Sequence, residues 1–433
     1  MKLRIALAVL VIGSCGREVP TGVGGSLLPE DAVRTFEVLL DGSAWLVRDT
    51  AFSKFDRAFG APFLIVAENF DGALDAHTLA RFGIPAVIAA LDSTGVSRND
   101  STPVFIGGRV VLQLDTLRSS GDLPILMRIH RITESWDPAT ASWTHRVDSA
   151  GNRQTWAQPG ALGGPAIDTA SWTGAVDSLG VRVDSLVIPV DSQTIAAWSD
   201  TTTNARGVVI TMVTPGGRLR SSDLVLRLDA RPTFRPDTIV TVTSRPSDPV
   251  FIYDPVLPDA APTPFIGGRP SWRTYFEVRD GLDTLSIACP EVSATCRVRL
   301  GDVNVTYAGI QLQPAPAPPG FAPQDSLRIG AQTLVLSEFT PIERSPLGQG
   351  VGATRRFLQP AEFRPPADGP LVEVPITEFV AALAADTLVD GAPPSRWLGL
   401  LPLVEGVDFG VAAFQPSPVL RLILTIANEL QLR

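Results

Sequence analysis

Apolar and polar residues alternate along short runs of this chain. VFIGGRVVLQLD (104–115), VNVTYAGIQLQP (303–314) and SSDLVLRLDA (221–230) each place every second residue on an apolar face over part of their length. A period of two is the pattern of a strand with one buried side. Spacings of three and four, sustained over ten residues or more, are nearly absent. Two short runs, one ending near Trp198 and one at 376–385, are the best helical segments. Glycine (37) and proline (38) punctuate the alternating runs, which favours many short strands joined by turns. The pattern predicts an all-β chain of antiparallel sandwich or jelly-roll-like domains. Parallel α/β architecture is disfavoured because the amphipathic helices it needs are missing.

The order of these runs repeats. SAWLVRDT (43–50) has a counterpart in DPVFIYDP (248–255), and Pro62-Phe63 in Pro264-Phe265. HTLARFGIP (77–85) is matched by WRTYFEVR (272–279), and VFIGGRVVLQLD by VNVTYAGIQLQP. LPILMRIHRITESWDP (123–138) faces QTLVLSEFTPIERSPL (332–347). LVIPVDSQTIAAW (186–198) faces LVEVPITEFVAAL (371–383), each a strand leading into a short helix. Both series close on a strand, SSDLVLRLDA and PSPVLRLILTIA (416–427). Each match is loose, but the shared order predicts two homologous sandwiches. Their expected extents are 31–232 and 237–433, divided near RPTFRPD (231–237), where two prolines interrupt pairing.

Ahead of the first sandwich, MKLRIALAVLVIGSC sets Lys2 and Arg4 before an apolar run too short to span a bilayer. It has the form of an export signal over residues 1–14. Ile12-Gly13-Ser14-Cys15 resembles the lipobox of bacterial lipoproteins, which implies lipidation of Cys15 and membrane attachment through the acyl chains. Residues 15–30, GREVPTGVGG among them, then form a tether. By the same resemblance Gly16, in place of an aspartate, favours the outer membrane. Two cysteines remain, Cys289 and Cys296 in ACPEVSATCRV. In an exported chain an even pair reads as a disulfide closing a hairpin. A metal site is the alternative, weakened by the lack of a nearby histidine. VLRLILTI near the C-terminus contains Arg421 and reads as a strand. Net charge is −9 with no basic stripe, so nucleic acid is not an expected partner.

The blocks of the first copy also resemble the DNRLRE domain, a β-sandwich module of secreted bacterial proteins. The resemblance rests on Leu79, Arg81 and Phe82, then VVLQLD, then the turn from Trp136 through Asp137 and Pro138 to Trp143. TWAQPGA with Trp156, a segment ending at Trp198, GVVI (207–210) and GRLRSSD (217–223) follow in order. It covers about residues 35–230, and more weakly 240–428. The acidic residue between the tryptophans is displaced to Asp137, and the second copy has no tryptophan pair. The family is similar to carbohydrate-binding modules, so the resemblance implies glycan or polysaccharide recognition without catalysis.

Candidate chemistry is sparse. His77, His130 and His145 are the three histidines, and His77 and His130 are expected near strand ends. Zincin, P-loop and nucleophile-elbow motifs are lacking. Glu68, Asp71 and Asp75, or Glu134 and Asp137, are carboxylate groupings, with solvated loops as their ordinary setting. The chemistry requires no cofactor; the loop DSTGVSRND (92–100) has the oxygen donors for calcium but not the EF-hand spacing. Trp136, Trp143, Trp156 and Trp172 are the candidate ligand-binding residues. Their rings either stack on sugar or fill the sandwich and its ends. RITESWDPATASWTHR (131–146) is expected to be strand, Asp-Pro turn, strand, since Pro138 excludes a helix. In the second copy Phe339 and Leu347 are expected to take the place of the tryptophans. The recurrence of TASWT at 140–144 and 169–173 is compatible with similar strands or with accident. Three roles remain open: an anchored glycan-binding protein, a non-catalytic structural, adhesion or assembly lipoprotein with no sugar site, or a hydrolase or lyase with a cryptic carboxylate site.

Overall fold

Nearly every alternating run forms a strand in the computed structural model. It describes residues 33–427 except 56–58, 175–183, 201, 203–206, 270, 283, 289–294, 337–338, 368 and 386–393. The strands are β1 (Val33–Leu40), β2 (Leu46–Phe52), β3 (Leu64–Phe70), β4 (Leu74–Ala80), β5 (Ile88–Leu91), β6 (Ser97–Asp100), β7 (Val104–Leu114), β8 (Ile125–Arg131), β9 (His145–Ser149), β10 (Asn152–Thr155), β11 (Ala166–Trp172), β12 (Ser185–Asp191), β13 (Val208–Met212) and β14 (Gly217–Arg231). Then come β15 (Val240–Ser244), β16 (Val250–Asp254), β17 (Ala260–Ala261), β18 (Phe265–Gly267), β19 (Arg273–Val278), β20 (Thr284–Ala288), β21 (Thr295–Arg299), β22 (Asn304–Leu312), β23 (Pro314–Ala315), β24 (Ile329–Leu334), β25 (Leu347–Ala353), β26 (Val372–Pro375), β27 (Trp397–Pro402), β28 (Val411–Phe414) and β29 (Val419–Ala427). Short helices α1 (Gly42–Trp45), α2 (Ser192–Ser199) and α3 (Thr377–Ala385) interrupt them. The chain is all-β, with antiparallel sheets packed as sandwich-like bodies.

In the first body, one layer runs β15–β14–β7–β12 and the other β16–β4–β13–β8–β11. The N-terminal part of β14 pairs with β3 instead, after a register shift between Ser221 and Asp223 that redirects the strand. The second body repeats these pairings. Its layers are β1–β29–β22–β26 and β2–β19–β27–β24–β25. β28, paired with β18, stands where the first part of β14 stands. The blocks matched in sequence thus hold matching places in the two pairing diagrams.

The first strands of each repeat are exchanged. β1 and β2 pair with β29 and β19, late in the chain. β15 and β16, which follow Pro232, pair with β14 and β4. Pairing therefore crosses the 231–237 segment in both directions, and each body is completed by strands from the other half of the sequence.

Alternation explains the cores. Val110, Leu112 and Leu114 of β7, Leu224, Leu226 and Leu228 of β14, and Ile125, Met127 and Ile129 of β8 all point into the first body. Trp198 of α2 closes one end against Phe82, ring centroids 5.8 Å apart. Ala308, Ile310 and Leu312 of β22 and Leu420, Leu422 and Leu424 of β29 do the same in the second, with Phe379 and Val380 of α3. The exchanged arm contributes Trp45, fully buried there, whose indole N–H donates to the Pro418 carbonyl at 3.1 Å. Between the bodies, Phe63, Phe251, Tyr253, Phe321 and Phe409 form a continuous aromatic seam. Arg118 binds Asp325 across it at 2.5 Å, and buried Arg218 donates to the Gly320 carbonyl at 3.1 Å.

Cys15, Cys289, the side chain of Cys296, the signal segment 1–14 and the tether 15–30 lie outside the described residues. The hairpin expected around the cysteine pair exists: β20 and β21 pair with Ile287 opposite Cys296. Among the described residues no helix is long and apolar enough to cross a membrane.

Candidate functional site

Residues 132–165, which carry Trp136, Trp143 and Trp156, fold over the outer face of the β8–β13–β4–β16 sheet. That face is apolar because the strands here are buried on both sides. Leu79 of β4, Val209 of β13, and Val250 and Ile252 of β16 point outward and meet Ile132, Trp136, Trp156 and Ala161 in a second, smaller core. Trp136 and Trp156 are 2% and 5% exposed. The Trp156 indole N–H donates to the Ser142 carbonyl at 2.9 Å, so its polar end is satisfied inside the cover. Arg81 seats Trp136. Its guanidinium carbon lies 4.3 Å from the ring centroid, it donates to the Trp136 carbonyl, and it pairs with Asp248 at 3.3 Å.

The Asp-Pro turn is present, and the Asp137 carboxylate accepts from the Ala139 N–H (3.1 Å) and the Thr140 hydroxyl (2.8 Å). The segments beside it are irregular, correcting the strand–turn–strand expectation; the next strand begins only at His145. Backbone groups there are bonded to loop partners, as in Asp137 N–H to Arg146 O at 2.9 Å. Trp143 is half-buried at the rim. Trp172 lies apart from the other three, at the end of β11 in the main core and 4% exposed. The two TASWT copies consequently differ, one in the cover and one in a strand.

His77 fastens this cover to the sheet. It sits in the middle of β4 rather than near a strand end, because its strand is buried on both faces. Its Nδ1–H donates to the Gly160 carbonyl at 2.7 Å, and its ring lies 4.5 Å from Trp143. Burial pushes its pKa down to about 4, so the ring is neutral at neutral pH. Gly160 has φ of +73°, and a methyl group there would lie 2.8 Å from the His77 ring and 3.0 Å from Trp143. His130, near the end of β8, makes a longer contact of 3.4 Å to Gly164 O, and burial lowers its pKa too. His145 meets the Thr144 hydroxyl at 2.8 Å.

Asp75, Glu134, Asp137, Asp92 and Asp100 are engaged in structure. Asp75 accepts from the Asn69 N–H at 2.7 Å in the β3–β4 turn, where Asp71 takes a positive φ. Glu68 is raised first by burial and then by Asp75. Glu134 accepts from Ala157 N–H at 3.2 Å. In the 92–100 loop, Asp92 receives the Thr94 and Val96 N–H groups and Asp100 that of Thr233, at 2.6–3.1 Å. These bonds hold both acids below their ordinary values. Among the described residues no group of three or more His, Cys, Asp or Glu side chains could hold a metal.

The second body covers the equivalent face differently. Tyr275, Leu334 and Trp397 are joined there by Phe52, Phe55 and Ile342. Phe339, expected in this role, is 92% exposed. Sequence reasoning missed Phe52 and Phe55 because they arrive on the exchanged arm, outside the repeat they serve.

No family model and no curated protein sequence matches the chain. Among solved structures, the C-terminal domain of the AgI/II polypeptide BspA from Streptococcus agalactiae aligns over 79% of this chain and 90% of its own, at 10% identity and a TM-score of 0.11. A likeness that low supports no argument about fold or function.

Proposed function

We propose that this chain is a lipid-anchored, non-catalytic protein of the cell envelope with a structural, adhesive or assembly role. Burial of the tryptophans carries the reading. Trp136, Trp156 and Trp172 spend their rings on packing, and their stretch holds a cover on a sheet. The exchanged strands support it further, since they tie the two bodies into one unit suited to bearing load or spacing partners.

Expression of the full chain in a bacterial host tests the anchor. Native protein should partition with membranes and Cys15→Ala should not; equal partitioning would overturn lipid anchoring. Titration with polysaccharides under selective tryptophan excitation tests the rest. Unchanged emission supports a structural role, and a saturable change that is lost in Trp143→Phe would overturn it in favour of sugar binding by the first body. That second reading, in which the DNRLRE resemblance would hold functionally, has one observation in its favour: Trp143 is half-exposed.

A further inference from the structure

The outer face of the β1–β29–β22–β26 sheet carries an aromatic ring packed against a strand glycine. Tyr307 of β22 leans along its strand over Gly309, two residues on and on the same face. A methyl group on Gly309 would stand 2.6 Å from the Tyr307 hydroxyl oxygen and 3.0 Å from Cε1 and Cζ. The missing side chain is therefore what lets the ring occupy this place. Tyr307 is half-buried, whereas Tyr253 and Tyr275 lie within the protein's aromatic clusters.

Polar groups surround the ring in a fixed arrangement. Arg421 of β29, opposite Gly309 in register, lies 5.8 Å from the Tyr307 centroid. It donates to Glu37 of β1 at 2.6 Å and to Glu373 of β26 at 3.2 Å, spanning the sheet. Gln311, opposite Glu373, adds an amide, and Ile423, opposite Tyr307, adds an apolar neighbour. Arg355 also acts on the Tyr307 hydroxyl, whose pKa is raised by burial first and then by Glu373. Two guanidinium groups balance two carboxylates, so the face favours neither a cation nor an anion. At the corresponding positions of the first body Gly107 and Arg109 face β14, and Arg109 pairs with Asp229 at 3.1 Å.

We propose that this face is a binding subsite for an uncharged pyranose within a glycan. The apolar C–H side of the sugar stacks on Tyr307. Its hydroxyls meet Glu37, Glu373, Arg421 and Gln311, which both donate and accept. This assignment goes beyond the structural role proposed above and moves sugar contact to the second body.

Affinity gel electrophoresis of the full protein tests it, with hydroxyethylcellulose, galactomannan and dextran as neutral probes and alginate as an acidic one. At least one neutral polymer should retard native protein and Tyr307→Phe. Tyr307→Ala and Gly309→Ala should bind at least about tenfold more weakly, the former losing the ring and the latter lifting it from the sheet. Circular dichroism confirms folding of each variant. The proposal is overturned if no neutral polymer retards the folded native protein, if alginate alone does, or if Tyr307→Ala is retarded as strongly as native.

Discussion

Replacing Trp45 by alanine should unseat the exchanged arm. The ring is fully buried in the second body, packs 5.8 Å from Phe276, and donates to Pro418 O at 3.1 Å. Truncation of a buried aromatic of this size costs about 3–5 kcal/mol, through lost transfer free energy and the cavity left behind. The Pro418 carbonyl loses its partner as well. Urea unfolding followed by far-UV circular dichroism measures the change without depending on tryptophan emission. Because Trp45 lies between β1 and β2, the arm should open before the rest, and trypsin should cut at Arg48 and Lys54 sooner than in native protein. Trp143→Ala is the control, expected to cost about 1–2 kcal/mol because its ring is only half-buried. A loss below about 1 kcal/mol for Trp45→Ala, with unchanged tryptic cutting, would refute the account of the arm.

Acid should weaken the first body through His77. Its folded pKa of about 4 lies below the ordinary 6.5, so between those values the unfolded chain binds the proton and the folded one does not. Stability is intact above pH 6.5 and falls by up to about 3 kcal/mol as pH drops towards 4, with His130 adding in the same direction; His77→Gln should flatten the fall in urea midpoint. Gly160→Ala should expel the Trp143 rim from its place on His77, seen as a tryptophan emission shift to longer wavelength with sheet content retained. Asp325→Ala should loosen the seam by about 1–3 kcal/mol, since Arg118 and buried Arg220 both lose a carboxylate there; differential scanning calorimetry should then resolve the two bodies into separate transitions.

The period-two runs made the fold class legible, because one-sided burial writes itself into alternation. The order of blocks was legible for the same reason: SSDLVLRLDA and PSPVLRLILTIA show the same spacing because both strands line a core. Which strand pairs with which was not. SAWLVRDT has the same alternation whether β2 lies beside β4 or beside β19, so the exchange of arms leaves no local trace. The role of Trp136 was ambiguous because a ring on a sheet face looks alike in sequence whether water or a loop covers it. Residues 132–165 supply the cover, and their closure depends on Arg81 and His77, distant in sequence, with Gly160 of the cover seated on the His77 ring. Tyr307 does not stand out in the sequence because its setting depends on Gly309 two residues on, and a glycine in a strand reads first as a weakness.

Iodide quenching of tryptophan emission in the folded protein tests the central claim, that the first-body tryptophans are structural. Seven of the eight tryptophans are buried, and Trp143 alone is half-exposed. Only a small fraction of the emission should be accessible to iodide, and Trp143→Phe should remove most of that fraction. A large accessible fraction that persists in Trp143→Phe would place Trp136 or Trp156 at the surface and contradict the structural role.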